Sequence, residues 1–335
     1  MAAEPAPLLA LDTVSKRFVK PIDMAARIAN LFGAGYRDEV AHAVDGVSFA
    51  VHDGEVVGLV GESGCGKSTV GRLVAGLLRP SDGRVLHRGR ELRALPPREA
   101  RRVALGIQMV FQDPFASLNP RMTVGDSIGQ APRLLGIVPR SDSDAHVDAL
   151  LDRIGLDPGY RRRYPHQLSG GQRQRVCIAR ALAVSPSVLV CDEAVAALDV
   201  SIQAQILNLF MDLRDSLRLT YLFISHDLGV VEHLSDRVII MYLGRIVETA
   251  PTVELFRAPN HPYTRALLAE IPSLSVRRRS FAAITGEIPS PLAPPPGCHF
   301  HTRCPQAMAR CRAERPALRE VAPRHWSACH LNDAT

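Results

Sequence analysis

Apolar and polar positions follow two rhythms along the chain. Short continuous apolar runs recur at 55–60 (EVVGLV), 187–191 (SVLVC) and 220–225 (TYLFIS). Runs of that length, bounded by polar or glycine-rich breaks, predict strands buried on both faces. Residues 8–19 and 46–60 read as short strands with glycine-rich breaks, and VALGIQMVF at 103–111 as another strand. The second rhythm is helical. Val70, Leu73, Val74, Leu77 and Leu78 repeat at i, i+3, i+4, i+7 and i+8, which is one face of a helix. Ile202, Ile206, Leu209, Phe210 and Leu213 make a stripe that predicts a helix over Ser201–Leu217. From about 122 to 184 the pattern is helical throughout. Alternating strands and helices predict a largely parallel sheet. Segment 20–42 fits neither rhythm and reads as a surface insertion.

Two glycine-bearing segments interrupt these elements. Residues 61–69 (GESGCGKST) sit between the strand at 55–60 and the helix that starts near residue 68. They fit G-x-x-x-x-G-K-[ST], and strand, loop, helix is the context that motif requires. Gly61, Gly64 and Gly66 permit a tight path that turns backbone N–H groups towards phosphates. Glu62, Ser63, Cys65 and Thr69 complete the cradle. Lys67 reaches the β- and γ-phosphates, and Ser68 offers a hydroxyl to Mg²⁺. The second segment, YPHQLSGGQRQR at 164–175, places a serine and two glycines at a helix start. That is another place for backbone N–H groups to meet an anion.

Ligands of a parallel sheet gather at the carboxyl ends of its strands. Gln112, Asp192, Glu193 and His226 all fall there. Asp192 suits Mg²⁺, directly or through water. Glu193 suits a general base for an attacking water. The plainer alternative for this pair is a capped strand end.

Together these residues resemble the ATPase subunit of the ATP-binding cassette family, over about residues 8–270 and with six motifs in family order. The resemblance implies an α/β fold, a P-loop NTPase (RecA-like) core, with a helical signature subdomain at about 113–185. It implies that Phe18 stacks on adenine and that Gln112 touches Mg²⁺ and signals to a transmembrane partner. His226 would contact the γ-phosphate, and Asp199 would lie at a dimer seam. Leu168, Ser169, Gly170, Gly171 and Gln172 match the family signature, which acts in trans. One chain carries one of each motif, so a second homologous ATPase subunit is expected. One departure stands out: the family commonly reads E-P-T-S-A-L-D where this chain has Glu193-Ala194-Val195-Ala196-Ala197-Leu198-Asp199. Ala196 lacks a hydroxyl that often contacts the opposite phosphate loop, so weaker cross-subunit coupling is expected.

Composition narrows the setting. No stretch reaches the roughly 18–20 continuous apolar residues of a membrane span. The first residues lack a basic segment and a long apolar core, so they do not read as a signal peptide. A subunit peripheral to the cytoplasmic face of the inner membrane is expected, its membrane contact made through partners. Net charge is +6, and residues 272–335 hold nine Arg against four acidic residues. The chain has only three lysines, Lys16, Lys20 and Lys67. No patch or fold calls for nucleic acid.

The tail sets the branch. Residues 1–271 read as the ATPase domain and 272–335 as a small extension behind the proline-rich linker PSPLAPPPG. APNHPYTRALLAEIPSL (258–274) and GEIPSPLAPPPGCHFHTRC (286–304) look like the corresponding segments of dipeptide and oligopeptide importers, in the second of their two ATPase subunits. Two permeases and a solute-binding protein would be the other partners. Nickel and glutathione importers share much of this tail. A non-transport ATPase and a catalytically dead paralogue are further readings. Cys298, Cys304, Cys311 and Cys329 are spaced C-x5-C-x6-C-x17-C, without the close pairs typical of zinc. Four thiolates suit a [4Fe–4S] cluster, and the resemblance implies one. Zinc, with His299, His301 or His330 replacing a ligand, and free core cysteines are the alternatives.

Overall fold

The computed structural model describes residues 6–270 and 286–334. Strand β1 (Leu9–Lys20) leads through helix α1 (Met24–Leu31) to β2 (Glu39–Val51). Then come β3 (Val56–Val60), the glycine loop, α2 (Lys67–Val74), β4 (Asp82–His87), β5 (Arg90–Glu91), α3 (Pro97–Gly106) and β6 (Ile107–Val110). Four helices follow: α4 (Pro114–Ser117), α5 (Val124–Leu134), α6 (Ser143–Arg153) and α7 (Gly170–Leu182). The core resumes with β7 (Val188–Asp192), α8 (Val200–Leu217), β8 (Thr220–Ser225), α9 (Leu228–Leu234), β9 (Arg237–Tyr242) and β10 (Arg245–Pro251). Helices α10 (Thr252–Arg257) and α11 (Pro262–Ala269) close it, and α12 (Ala309–Ala313), β11 (Arg319–Ala322) and β12 (His325–Ser327) belong to the tail.

The main sheet runs β11-β12-β10-β9-β3-β8-β7-β6. Strands β9, β3, β8, β7 and β6 pair in parallel, as expected. Every residue of β3, β7 and β8 is buried, which is why these strands read as unbroken apolar runs. Successive residues still face opposite sides. Val56 and Val60 pack with the helical segment and α8, whereas Val57 and Leu59 pack beneath α2 and the second sheet. That second sheet, β2-β1-β4-β5, is antiparallel.

Three expectations need correction. The stretch 103–111 is not one strand: its first four residues finish α3, and β6 begins at Ile107. Pro97 at the first helical turn and Glu99 after it start that helix, and only Val103 of α3 is buried. Helix α2 stops at Val74, because Gly76 turns the chain at φ +71°, so Leu77 lies outside it and is exposed. Segment 20–42 lies at the surface as expected but is not irregular: it carries α1 and the start of β2, where Phe18 pairs with Ala41. Its Leu31 and Phe32 are largely exposed.

The tail is stitched to the ATPase core rather than standing apart. β12 pairs with β10 through Glu248↔Ser327 and Thr249↔Trp326. Glu248, fully buried, accepts the backbone N–H groups of Asn260 and His261 and lies 2.6 Å from His325 Nε2. Burial opposes the charge of Glu248, but these bonds and Thr264 hold its carboxyl below the usual range. The stability it contributes is therefore lost only as pH falls through that lowered value. The boundary at 271–272 and the end of segment 258–274 lie outside the described residues.

Two histidines at this seam make the attachment acid-sensitive. Burial pushes His261 and His299 down to about 4. The unfolded chain protonates histidine near pH 6.5, so below that value it binds protons that the fold refuses. Stability should fall as pH drops from about 6.5 towards about 4, by up to about tenfold in the folding equilibrium per pH unit for each histidine. Urea midpoints across that window check this, and His299→Gln should show a shallower fall than the parent protein.

Candidate nucleotide site

The glycine loop leaves the carboxyl end of β3, the centre of the sheet. Gly66 has φ +107°, and a Cβ there would lie 2.1 Å from the Ala43 carbonyl oxygen of β2. Only glycine lets the loop pass so close to the second sheet. Ser63 and Gly64 form the exposed tip. Cys65 turns inward and is buried, which raises its thiol pKa; its side chain belongs to the core rather than to the cradle. Lys67 is buried too, and its Nζ donates to the carbonyls of Gly61 (2.7 Å) and Glu62 (3.0 Å). The ammonium thus rests on the loop that a phosphate would share with it. Thr69 lies in the first turn of α2.

Ser68 Oγ donates to Asp192 Oδ1 at 2.7 Å, joining α2 to the end of β7. Ser68, Gln112 and Asp192 line one cavity, which Arg72 and Arg180 also border. Burial keeps the Asp192 carboxyl above the usual range despite the Ser68 bond. A buried carboxylate beside a hydroxyl and an amide oxygen is a hard-oxygen donor set that fits Mg²⁺. These three residues would hold the ion, which when bound offsets phosphate charge.

Glu193 follows Asp192 with φ +49°, a conformation uncommon outside glycine, and its N–H donates to the Ile224 carbonyl at 3.0 Å. Its Oε2 lies 3.3 Å from Nδ1 of half-exposed His226, just past the end of β8. The base candidate and the γ-phosphate candidate are therefore in contact with each other. Phe18, at the outer end of β1, is partly exposed, with the Lys16 ammonium 5.2 Å from its ring centroid.

The signature forms the start of α7. Ser169 caps it: Oγ accepts from Gln172 N–H at 3.3 Å, and Ser169 N–H donates to Gln172 Oε1 at 3.0 Å. Gln172 also donates to Tyr160 Oη, and Leu168 is buried below. Gly171 lets α8 approach, since a Cβ there would meet Ile202 at 2.5 Å. The hydrogen bonds of Ser169 and Gln172 stay inside the helical segment. Asp199 occupies the N-cap position of α8, yet its exposed side chain makes no capping bond. A carboxylate there is not explained by helix capping.

The cysteines of the tail converge only in part. Each of the six pairings among Cys298, Cys304, Cys311 and Cys329 lies within electrostatic reach, and burial raises Cys298 to about 11. All four are free thiols. Among the described residues no group of three or more His, Cys, Asp or Glu is placed to hold a metal ion. The histidines are engaged elsewhere: His330 spans Asp333 and the Glu314 carbonyl, His299 meets the Leu243 carbonyl, and His301 the Cys298 carbonyl. The tail's arginines face carboxylates rather than thiols. Arg310 pairs with Glu314 and Asp333, and Arg303 with Glu62. Nothing in the sequence signals that last contact, or the bond from Glu62 N–H to Tyr263 Oη.

A family model described as ABC transporter matches residues 44–196, and one described as Oligopeptide/dipeptide transporter, C-terminal region, matches residues 247–311. The oligopeptide transport ATP-binding protein AppF of Bacillus subtilis is 50% identical over 293 residues, covering 86% of this chain and 89% of its own. The putative oligopeptide transport ATP-binding protein YkfD of the same organism is 47% identical over 315 residues, covering 93% and 95%. This chain belongs to the ATP-binding subunits of ABC transporters, in the oligopeptide/dipeptide branch. Among solved structures, CbiO1 of Clostridium perfringens, part of the cbiONQ complex, aligns with TM-score 0.61 at 26% identity, covering 76% of this chain and 92% of its own. A dimeric post-hydrolysis state of the ATP-binding cassette MJ0796 with ADP and Pi aligns with TM-score 0.61 at 26% identity, covering 73% and 98%. As an ABC ATPase subunit the protein uses ATP and Mg²⁺ and hydrolyses ATP to drive transport. Subunits of this kind act with membrane permeases, and no described helix is long and apolar enough to cross a membrane.

Proposed function

We propose that this subunit energises import of di- and oligopeptides across the cytoplasmic membrane, from its inner face, with two permeases and a solute-binding protein. The observation that carries the reading is the tail. Residues 247–311 match the C-terminal region of oligopeptide/dipeptide transporters, and that region opens within β10, itself a strand of the ATPase sheet. The test is uptake by the reconstituted transporter. Labelled di- and oligopeptides should enter and raise ATP turnover. Uptake of nickel or glutathione alone would overturn the peptide assignment.

The ATP site is proposed to be half of a composite. The phosphate loop, Gln112, Asp192, Glu193 and His226 supply one wall. The other would be the Leu168–Gln172 signature of a second, homologous ATPase subunit, with Asp199 at the seam. Glu193 takes the proton of the attacking water while His226 holds Glu193 and meets the terminal phosphate. Phe18 would stack on adenine. In this reading 1–271 acts as the ATPase and 272–335 as an extension committed to the same core.

For the cysteines we infer a structural [4Fe–4S] cluster, on the chemistry of the all-thiol donor set. Anaerobically purified protein should carry about four iron and four acid-labile sulfide per chain. Stoichiometric zinc, or neither metal, would overturn it.

A further inference from the structure

The structure assigns Arg303 a positioning role at the ATP site: through a two-point ion pair with Glu62, the cysteine-bearing extension holds the first turn of the phosphate loop. The inference rests on the ATP site alone and does not depend on which solute is transported or which metal the cysteines take.

Arg303 lies next to Cys304, at the far end of the chain from the loop. Its guanidinium is almost fully buried, and it donates through Nη1 and Nη2 to both oxygens of Glu62, at 2.7 and 2.9 Å. The same guanidinium lies 5.9 Å from the ring centroid of Tyr242 and 3.4 Å from its hydroxyl. A planar fork meeting a carboxylate at two points fixes direction as well as distance.

Every polar group of Glu62 is committed. Its N–H donates to Tyr263 Oη at 2.9 Å, and its carbonyl accepts from Lys67 Nζ at 3.0 Å and from Cys65 N–H at 3.2 Å. Glu62 is thus the junction between Lys67 and Arg303. Below it lies an aromatic platform from both parts of the chain. Tyr242 and Tyr263 belong to the core, and Phe300 belongs to the extension. Their ring centroids are 4.7, 5.2 and 5.3 Å apart. Phe300 and Arg303 fall between Cys298 and Cys304, so the residues that brace the loop are set by the fold of the cysteine segment.

A phosphate would share the Lys67 ammonium with the Gly61 and Glu62 carbonyls, while Arg303 and Tyr263 hold Glu62 from other sides. Coupling between sites is reciprocal, so nucleotide should in turn steady the extension. Arg303→Ala removes the brace and leaves the partly buried Glu62 carboxylate facing an emptied pocket. Arg303→Lys keeps the charge and loses the fork. Glu62→Gln keeps the shape and weakens the pair.

The test is equilibrium binding of a fluorescent ATP analogue to the full chain, read beside the melting temperature and beside KM and kcat in the assembled transporter. Arg303→Ala should weaken nucleotide binding about tenfold, the size of a typical coupling between sites. Arg303→Lys and Glu62→Gln should fall between it and the parent. KM for ATP should rise with kcat nearly unchanged, and the double variant should be no worse than Arg303→Ala. Hydrogen exchange should show ATP protecting residues 298–330 in the parent and not in Arg303→Lys. Binding within twofold of the parent in every folded variant, whatever the melting temperature, would overturn the assignment. If Arg303→Ala does not fold, Arg303→Lys and Glu62→Gln decide it by the same twofold limit.

Discussion

Glu193→Gln should lower ATP turnover by roughly 10²–10⁴-fold, the range of a positioned general base, while leaving ATP bound. Glutamine has the shape of glutamate but cannot take a proton. The backbone at φ +49° and the contact with His226 at 3.3 Å are compatible with the amide, so the site should keep its form. The loop and Ser68 are untouched, so affinity for ATP should stay within a few-fold. A catalytically dead parent would show no such fall, and that outcome would remove Glu193 from the mechanism. Phosphate release from the assembled transporter, measured beside equilibrium ATP binding, separates the two effects.

Lys67→Ala should act on the other quantity. Its buried ammonium bonds only loop carbonyls among the described residues, at 2.7 and 3.0 Å. In the proposed site the same charge would also serve the β- and γ-phosphates. A charge-assisted hydrogen bond contributes about 1.5–3 kcal/mol, so ATP binding should weaken about 10–100-fold. Arginine should not rescue it, because a planar guanidinium cannot occupy the space of a compact ammonium under the loop. Titration with a fluorescent nucleotide reads the loss directly, and unchanged affinity would contradict the placement of Lys67.

The parts of the site that could be read in the sequence are those whose geometry is local. A tight loop needs its glycines at fixed spacing, and a helix cap needs Ser169 three residues before Gln172. A strand buried on both faces needs an apolar run, as at Thr220–Ser225, whose bounds coincide with the reading. The misreadings arose where one stretch serves two elements. VALG and IQMVF join without a break between them, and the helix that starts at Pro97 runs through VALG before β6 begins at Ile107. The attachment of the tail is hidden from the sequence for another reason. Its proline-rich approach suggests separation, but β12 finds an edge at β10 that lies far away in sequence. The Arg303–Glu62 pair spans 241 residues, and no local pattern encodes it. Glycine spacing foretold the loop but not what braces it.

Ala196 and Asp199 are both exposed. In the proposed composite, Asp199 would meet the partner without help from a hydroxyl at 196. The composite site is therefore the point at which the whole reading can be tested. The most direct measurement is a structure of the complete transporter bearing Glu193→Gln with ATP trapped. The account predicts Ser169 of one ATPase subunit within about 3 Å of the terminal phosphate held by the loop of the other. Fully bound ATP with Ser169 distant from every terminal phosphate would contradict it.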